Sequence, residues 1–416
     1  SNKKPACYAP WVTTYESAIG KINPCCEMQG WMLPNKERRS ISFEERWNDP
    51  AMVKFRETLL TGELPDGCGN CVHNEKNGAT SLRQEYDSFE EHVELDKFKL
   101  IHMDYRESNV CNMSCKMCGS SLSSTHALSQ GMYGKNGIMT NPTDPQLYLD
   151  NLENVRSINF AGGEPALMDS FYDVLNTIMD RDLQKNISVS LVTNGSVIMR
   201  NNHNWMEKLT QGGWKHANIA VSVDCMEDAH NYWRQKNTWK SVEKTLDYMI
   251  ECKAQGMCDE GVWLSVRTAI GWPNAFRAKD VFDRYTGQVD RLRHNFVNNP
   301  WWLSIDMLKN DKLKELYDHC ARSIDYNAIY NQYQKILKSK NLILNSPVWI
   351  TAILFGFAHG LSLTTEFSIV FNIQPFLLKM TYGLIWGWIT IKSGSILLAL
   401  ISHNLGNGTG NLIRMR

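Results

Sequence analysis

The sequence predicts an α/β fold, with a cysteine-rich segment before it and an apolar helical segment after it. From about residue 99, short apolar segments alternate with amphipathic segments, which indicates parallel strands joined by helices. Eight of the twelve cysteines lie at or before residue 118, in two clusters that contain a CxxC and a CxxxCxxC motif. The last part of the chain is strongly apolar. These three observations define the predicted organisation.

The chain divides into four predicted segments. We expect a small cysteine-rich module at residues 1–98, the α/β barrel at 99–304, a helical closure or linker at 305–340, and membrane helices at 341–416. Lys and Arg together number 44, as do Asp and Glu, and this zero net charge gives no reason to expect nucleic-acid binding. The first ten residues, SNKKPACYAP, contain no apolar leader, so the cysteine spacing indicates metal binding in a reducing cytoplasm.

The first segment contains one clear helical pattern, SFEERWNDPAMVKFRETLLTG. Ser42 is a predicted N-cap, and apolar residues recur at helical spacing after it. Pro50 is expected to interrupt the helix, and Gly62 is expected to end it.

The second segment alternates strands and helices. The predicted strands lie in KLIHMDY, VRSINFAGGEP, ISVSLVTNGS, ANIAVSVDC, GVWLSVRTAI and RLRHNFV. The predicted helices lie in FYDVLNTIMD, WMEKLTQGG, WKSVEKTLDYMIEC and DVFDRYTG. Polar and glycine residues follow several strands, and α/β sheets place their sites at these carboxyl ends. We therefore expect the functional site there.

The stretch ESNVCNMSCKMCGSS follows the first predicted strand of the barrel and contains the three-cysteine loop, Cys111, Cys115 and Cys118. Iron–sulfur clusters usually take four thiolates. Three thiolates leave one iron without a protein ligand, and an open position distinguishes a reacting metal from a structural one. The alternatives are a zinc site or buried thiols.

A second motif, AGGEP, follows the second strand and supplies Gly162, Gly163, Glu164 and Pro165. A CxxxCxxC loop followed by GGEP in this strand order resembles the radical SAM enzymes. The resemblance implies a partial (β/α)6 barrel whose three-cysteine loop binds a [4Fe–4S] cluster with an open iron. S-adenosylmethionine (SAM) would chelate that iron through its amine and carboxylate. Exposed carbonyls of the glycine loop and Glu164 could accept hydrogen bonds from the SAM ammonium group.

Two later residues extend the resemblance. Ser222 belongs to SVDC at the end of the fourth strand, and Arg234 follows in HNYWR. In similar enzymes these positions contact the SAM ribose and the SAM carboxylate. The implied activity is that of an oxidoreductase, in which the reduced cluster cleaves SAM to methionine and a 5′-deoxyadenosyl radical that abstracts hydrogen from the substrate.

The N-terminal cysteines form the pattern C…GxxxxC…CxxC, which resembles a SPASM or twitch module. The expected ligands of its auxiliary [4Fe–4S] cluster are Cys7, Cys25, Cys68 and Cys71. Such a module usually follows the barrel, whereas here it precedes it. Cys26 is the alternative to its neighbour Cys25, and a structural zinc knuckle is the alternative to the cluster.

The apolar tail contains FGFAH, ending at His359, and HNLGN, which joins His403 to Asn407. This order resembles the second half of the CPBP intramembrane metalloproteases, which include CAAX-processing enzymes. About three membrane helices are predicted, in VWITAILFGFAHGLS, PFLLKMTYGLIWGWITI and SGSILLALISHNL. The Glu-Glu helix of that family is absent, so we expect an incomplete metal site and no protease activity. A membrane anchor with two packed histidines is the alternative.

The leading hypothesis from the sequence is a radical SAM enzyme with a cytoplasmic catalytic part, held at the membrane by its tail. A peptide or protein side chain is the first-ranked substrate, before a small molecule, and the expected reductant is a flavodoxin or ferredoxin. One competing hypothesis is a membrane-anchored iron–sulfur protein without turnover. Another is an intramembrane metalloprotease with an incomplete site.

Overall fold

The computed structural model describes residues 4–30, 32–34, 39–76, 80–297, 300–320, 352–355, 357, 361–363 and 369–393. The chain forms two compact units. The first comprises Ser1–Ala269 and Asp280–Asn295, and the second comprises Ile270–Lys279 and Phe296–Arg416.

The described strands form one large sheet and several small ones. They are β1 (Tyr15–Glu16), β2 (Lys21–Asn23), β3 (Leu33–Pro34), β4 (His102–Tyr105), β5 (Ser114–Cys115), β6 (Ser157–Phe160), β7 (Ser188–Thr193), β8 (Met199–Arg200), β9 (His203–Asn204), β10 (His216–Ser222), β11 (Arg234–Gln235), β12 (Val262–Ile270), β13 (Arg291–Phe296), β14 (Leu361–Leu363) and β15 (Ile369–Phe371). The large sheet has the order β13-β12-β10-β7-β6-β4. Its pairs from β4 to β12 are parallel, which confirms the predicted α/β class.

Helices connect these strands, as the alternating pattern predicts. The described α-helices are α1 (Ala9–Val12), α2 (Phe43–Asn48), α3 (Pro50–Thr61), α4 (Gly69–Lys76), α5 (Leu82–Tyr86), α6 (Ser124–Ser129), α7 (Pro145–Leu149), α8 (Asp169–Asp180), α9 (Trp205–Thr210), α10 (Glu227–Trp233), α11 (Trp239–Ala254), α12 (Ala278–Tyr285), α13 (Asn310–Cys320) and α14 (Ile373–Ser393). Two parallel strands need such a crossover, because a tight turn reverses the chain and can join only antiparallel neighbours.

The two faces of the large sheet differ in polarity. On β7, Val189 and Leu191 are buried, whereas Ser188 and Ser190 are half-buried on the other face. The same alternation occurs on β6, where Ile158 is buried among apolar residues. Burial of such aliphatic side chains contributes roughly 1.5–3 kcal/mol each and holds the helices against this face. The opposite face is polar.

The helix predicted to be interrupted at Pro50 forms as expected. Ser42 accepts a hydrogen bond from the Glu45 amide, and Glu45 bonds back to the Ser42 amide, which is a complete capping box. Asp49 then caps α3, which has Pro50 in its first turn. Gly62 ends α3 with φ +91°, a conformation that glycine adopts without strain.

A buried ion pair within the N-terminal segment is hydrogen-bonded to the segment that follows. The Arg46 guanidinium donates to Glu16 Oε2 at 2.7 Å and to Thr143 Oγ1 at 2.6 Å. Arg46 and Glu16 side chains are 3% and 0% exposed. Thr143 lies just before α7 of the barrel, so one cation connects three parts of the chain.

In the second unit, β14 and β15 form an antiparallel pair, and α14 follows. The predicted helical run PFLLKMTYGLIWGWITI lies within α14, which confirms a helix there. The run at 348–362 is described only in part, and its last two residues belong to β14, so the helix prediction is wrong for them. Their backbone groups pair with β15 instead. The run at 393–405 falls almost entirely outside the described residues.

Within the described ranges, no helix combines the length and the apolar character that crossing a membrane requires.

Replacing Arg46 with Ala leaves Glu16 buried without its cation. We expect the free energy of unfolding to fall by about 3–5 kcal/mol, because an unpaired buried charge is strongly destabilising. Urea unfolding followed by circular dichroism measures this loss.

The matched control is Arg284→Ala, since Arg284 pairs with Asp247 at 3.3 Å with side chains 39% and 52% exposed. An exposed pair of this kind contributes less than about 1 kcal/mol. Equal destabilisation by the two substitutions would contradict the role given to the buried pair.

Candidate functional site

The three-cysteine loop lies beyond the carboxyl end of β4, where the sequence places it. Within it, β5 pairs antiparallel with β11, and this register sets Cys115 opposite Arg234. The Arg234 Nη1 atom lies 4.0 Å from the Cys115 sulfur. The loop is therefore fixed to the segment that follows β10, and an arginine adjoins one of its thiols.

Side chains within the loop hold its backbone in place. The Asn109 amide donates to the carbonyls of Ser120 and Gly137, at 2.9 and 3.0 Å, and accepts from the Met139 amide. Thr125 Oγ1 donates to the Cys111 carbonyl at 2.6 Å. These bonds use the backbone groups of the loop and leave its thiols as the available ligands.

The GGEP segment packs directly on the three-cysteine loop. The amide of Gly163 donates to the Ser108 carbonyl at 3.2 Å, and the amide of Glu164 donates to the Val110 carbonyl at 2.7 Å. A Cβ atom on Gly163 would lie 2.1 Å from the Val110 oxygen. Gly163 is thus required by the close approach of two backbones, in addition to the approach to a ligand that the sequence suggests.

Glu164 is buried, and its carboxylate connects the ends of two strands. It accepts hydrogen bonds from Thr193 Oγ1 and the Asn194 amide, both at 2.6 Å, and from the Ala166 amide at 3.3 Å. Burial raises the pKa of Glu164 to about 7, although these three hydrogen bonds oppose the shift. A carboxylate has about four acceptor sites. These three hydrogen bonds leave about one acceptor site free. That this site accepts a hydrogen bond from the SAM ammonium group stays a prediction.

A second link joins the end of β7 to the three-cysteine loop. Asn194 Nδ2 donates to Asn112 Oδ1, and Asn112 Nδ2 donates to Ser196 Oγ, both at 2.9 Å. Asn112 lies between the first two cysteines of the loop. The sequence analysis missed this role of Asn112, although Asn194 follows a predicted strand in the quoted VTNGS.

Arg234 has a buried partner that the sequence analysis did not identify. Its Nε atom donates to Asp224 Oδ2 at 2.7 Å, and the second oxygen of Asp224 accepts from the Ala269 amide at 2.7 Å. Asp224 is the acidic residue of the quoted SVDC motif. The pair fixes the guanidinium so that its Nη1 atom is directed to Cys115.

A cavity of about 710 Å³ lies against the polar face of the large sheet. Both Ser222 and Arg234 line it, together with residues from each of the six strands. These strand residues include Asp104, Asn159, Ser190, Asn218, Arg267 and Arg293. The sequence signal for this cavity is the polar residue at every second strand position, since parallel strands buried on both faces are continuously apolar.

The four cysteines predicted for an auxiliary cluster line one small apolar cavity of the N-terminal segment: Cys7, Cys25, Cys68 and Cys71. Arg83 lines the same cavity. Cys26 instead lines the large cavity, as does Asp104. The geometry thus separates Cys25 from Cys26.

Burial has the same effect on thiols of both predicted ligand sets. Burial raises the pKa of Cys7 and of Cys111 to about 12, and that of Cys115 to about 11. Thiolates at these positions therefore need a positive group such as iron. No three His, Cys, Asp or Glu side chains of the described residues surround a point where one metal ion would bind. Cluster ligands each bind a different iron, so they stand farther apart than ligands of one ion.

The tail residues His359, His403 and Asn407 lie outside the described residues. Their assignment as an incomplete metal site stays a prediction from the sequence.

Replacing Gly163 with Ala tests the contact between the two loops. Because the new Cβ would overlap the Val110 oxygen, we expect the three-cysteine loop to shift. Iron bound after anaerobic reconstitution should then fall by one cluster, about four atoms per chain. Iron analysis and visible absorbance measure the loss.

The control is Gly119→Ala in the same loop, where an added Cβ meets no atom within 4 Å. This variant should retain the iron of the unsubstituted protein. If both variants bind the same amount of iron, the contact at Gly163 does not position the cluster ligands.

Two family models match separate parts of the chain. Residues 107–262 match the Radical SAM superfamily. Residues 328–409 match Type II CAAX prenyl endopeptidase Rce1-like. No curated protein matches the chain.

Solved structures with similar folds include native anSMEcpe with bound AdoMet. It is 21% identical, with 53% of this chain and 59% of that chain covered and a TM-score of 0.38. Streptococcus suis SuiB bound to S-adenosylmethionine is 13% identical, with 67% of this chain and 58% of that chain covered and a TM-score of 0.35. The chain thus spans less than two thirds of the length of each of these two proteins. Residues 107–262 are thus similar to radical SAM domains, and residues 328–409 are similar to Rce1-like domains of the CPBP type.

Proposed function

We propose that this protein is a radical SAM enzyme that modifies a peptide or protein side chain. The observation that carries the proposal is the packing of GGEP on the three-cysteine loop at the carboxyl ends of β4 and β6. Arg234 connects this loop to the large cavity, because it adjoins Cys115 and lines the cavity. The match of residues 107–262 to the radical SAM superfamily supports the same function.

Cys111, Cys115 and Cys118 would hold the cluster. When bound, a [4Fe–4S] cluster with one open iron would supply the electron for reductive cleavage of SAM and so for radical abstraction of hydrogen from the substrate. Ser222 would contact the SAM ribose. Arg234, whose Nε atom is already fixed by Asp224, would use its remaining donors for the SAM carboxylate.

The large cavity would contain both SAM and the substrate. Its walls are formed by strands of the sheet and by six residues of the N-terminal segment: Cys26, Glu27, Thr80, Leu82, Glu85 and Tyr86. Exclusion of bulk water from the reacting atoms, which protects a radical, would require a bound substrate to fill this partly open cavity. The polar strand side chains would orient the substrate by hydrogen bonds.

We also propose an auxiliary cluster held by Cys7, Cys25, Cys68 and Cys71. The support is their placement around one cavity, with Arg83 beside them. Four thiolates leave no open iron, so this cluster suits electron transfer or structural support rather than SAM binding. A flavodoxin or ferredoxin would supply the electrons.

The Rce1-like match at residues 328–409 supports a membrane association of the tail. We propose no protease activity, because this part of the sequence has no Glu-Glu pair to act as base and metal ligand.

The first test is anaerobic formation of 5′-deoxyadenosine by the full chain, reconstituted with iron and sulfide and given SAM and dithionite. We expect product from the unsubstituted protein and only background from the variant with Cys111, Cys115 and Cys118 all changed to Ala. Chromatography of the products measures the difference.

The matched control changes Cys252 and Cys258 to Ala, since neither thiol belongs to a predicted cluster. It should form product as the unsubstituted protein does. If the cluster assembles and SAM binds but no product forms, the chain is an iron–sulfur binding protein without turnover.

The auxiliary cluster predicts a difference between two neighbouring cysteines. Cys25→Ala should lower bound iron by about four atoms per chain, because a full ligand set loses one thiolate. Cys26→Ala should leave the iron content unchanged, since Cys26 lines the other cavity. Iron and sulfide analysis of the two reconstituted variants measures this. The reverse result would assign Cys26 as the ligand. If neither variant loses iron, the proposal of an auxiliary cluster is wrong.

A further inference from the structure

Three arginines of β12 and β13, the last two strands of the large sheet along the chain, line the large cavity. Arg267 lies on β12, and Arg291 and Arg293 lie on β13. Arg291 is stacked on Trp263, with its guanidinium carbon 3.7 Å from the ring centroid. This group of cations takes no part in holding the cluster ligands.

The other two arginines of the cavity already have carboxylate partners. Arg106 bonds to Asp104 at 2.8 Å, and Arg234 bonds to Asp224 at 2.7 Å. By contrast, no carboxylate of the described part of the chain forms an ion pair or a hydrogen bond with Arg267 or Arg293. The cavity also includes Glu27 and the exposed Glu85. Glu85 attracts Arg267 without contacting it.

The Arg267 side chain is incompletely satisfied. Its Nε atom is buried and has no hydrogen-bond partner within the described residues. Burial first, and then the neighbouring Arg293, lower the pKa of Arg267. The same two causes lower the pKa of Arg291. An anion between these groups would satisfy the free donor and reduce their mutual repulsion.

The position of Arg267 relates this group to the proposed reaction. In the parallel pairing of β10 with β12, Arg267 lies opposite Ser222, the residue proposed to contact the SAM ribose. Both side chains line the same cavity. An anion bound by Arg267 would therefore lie beside the reacting end of SAM, where the substrate belongs.

We propose that the substrate carries an oxyanion, a carboxylate or a phosphate, that Arg267 and Arg293 bind inside the cavity. The planar guanidinium group suits both oxyanions, because it can donate two parallel hydrogen bonds. Arg291 adds a third positive charge from its position on Trp263. That the bound anion belongs to the substrate rests on the proposed radical SAM function, whereas the anion site itself rests only on the arginines.

The test is calorimetric titration of the reconstituted full chain with two probes. One probe is inorganic pyrophosphate, and the other is a hexaglutamate peptide, with a hexaglutamine peptide as its neutral counterpart. We expect one anionic probe to bind and the neutral peptide not to bind. Stronger binding of pyrophosphate assigns a phosphate, and stronger binding of hexaglutamate assigns a carboxylate.

Two variants locate the site. Changing both Arg267 and Arg293 to Gln should weaken binding of the preferred probe at least about tenfold, since charge-assisted hydrogen bonds are lost. Arg181→Gln is the matched control, because Arg181 is exposed and outside the cavity, and it should bind the probe normally. Arg293→Gln alone, at an exposed position, serves if the double variant fails to fold, and it should also weaken binding.

Three results would overturn the inference. The first is that neither anionic probe binds, and the second is that the arginine variants bind the probe as tightly as the unsubstituted protein. The third is that saturating SAM abolishes binding of the probe, which would show that these arginines hold the SAM carboxylate instead. The titration requires no turnover, so it is independent of the proposed function. Anion binding without formation of 5′-deoxyadenosine would contradict only the radical SAM activity, and the reverse would contradict only the anion site.

Discussion

The close backbone contact between Gly163 and Val110 is the constraint on which the site depends. Parallel strands bring β4 and β6 side by side, but that alone leaves the loops after them free to diverge. The amides of Gly163 and Glu164 bind the carbonyls of Ser108 and Val110, and this fixes one loop on the other. This contact is possible only because Gly163 has no side chain. Two motifs that are far apart in the sequence thus form one structural unit.

Glu164 extends that unit to the next strand. Its buried carboxylate binds Thr193 and the amide of Asn194 at the end of β7, while its own amide binds the three-cysteine loop. Asn194 then reaches Asn112 inside that loop. A single acidic residue thus holds three loops in register, and its raised pKa reflects the burial that this position requires. The motif has a structural role that would be needed even for a cluster without chemistry.

The sequence predicts those strands and helices that have a local signal. The capping box at Ser42 and the apolar strand positions are short-range features, and they identify the elements that the structure contains. The cysteine spacing also predicts two ligand sets, and the four thiols of the N-terminal set line one cavity. What local patterns cannot give is the partner of a residue across the fold. Asp224 as the partner of Arg234, and Val110 as the neighbour of Gly163, depend on strand register. The strand β14 depends likewise on pairing with β15, which outweighs an apolar pattern typical of a helix.

The polar face of the large sheet distinguishes it from the sheet of a barrel with a packed interior. A filled barrel interior contains branched apolar side chains, which stabilise the fold. Here the inward positions of β7 and β12 hold residues such as Ser190 and Arg267, which contribute little to packing. Their burial has a cost that the apolar face must offset, since buried polar groups without partners are destabilising. The arginines that have carboxylate partners lie beside the three-cysteine loop, whereas those without them lie on the last two strands. The charge of the cavity is thus balanced where the predicted cluster ligands lie and positive beyond them, a distribution that suits an anionic molecule bound beside the three-cysteine loop.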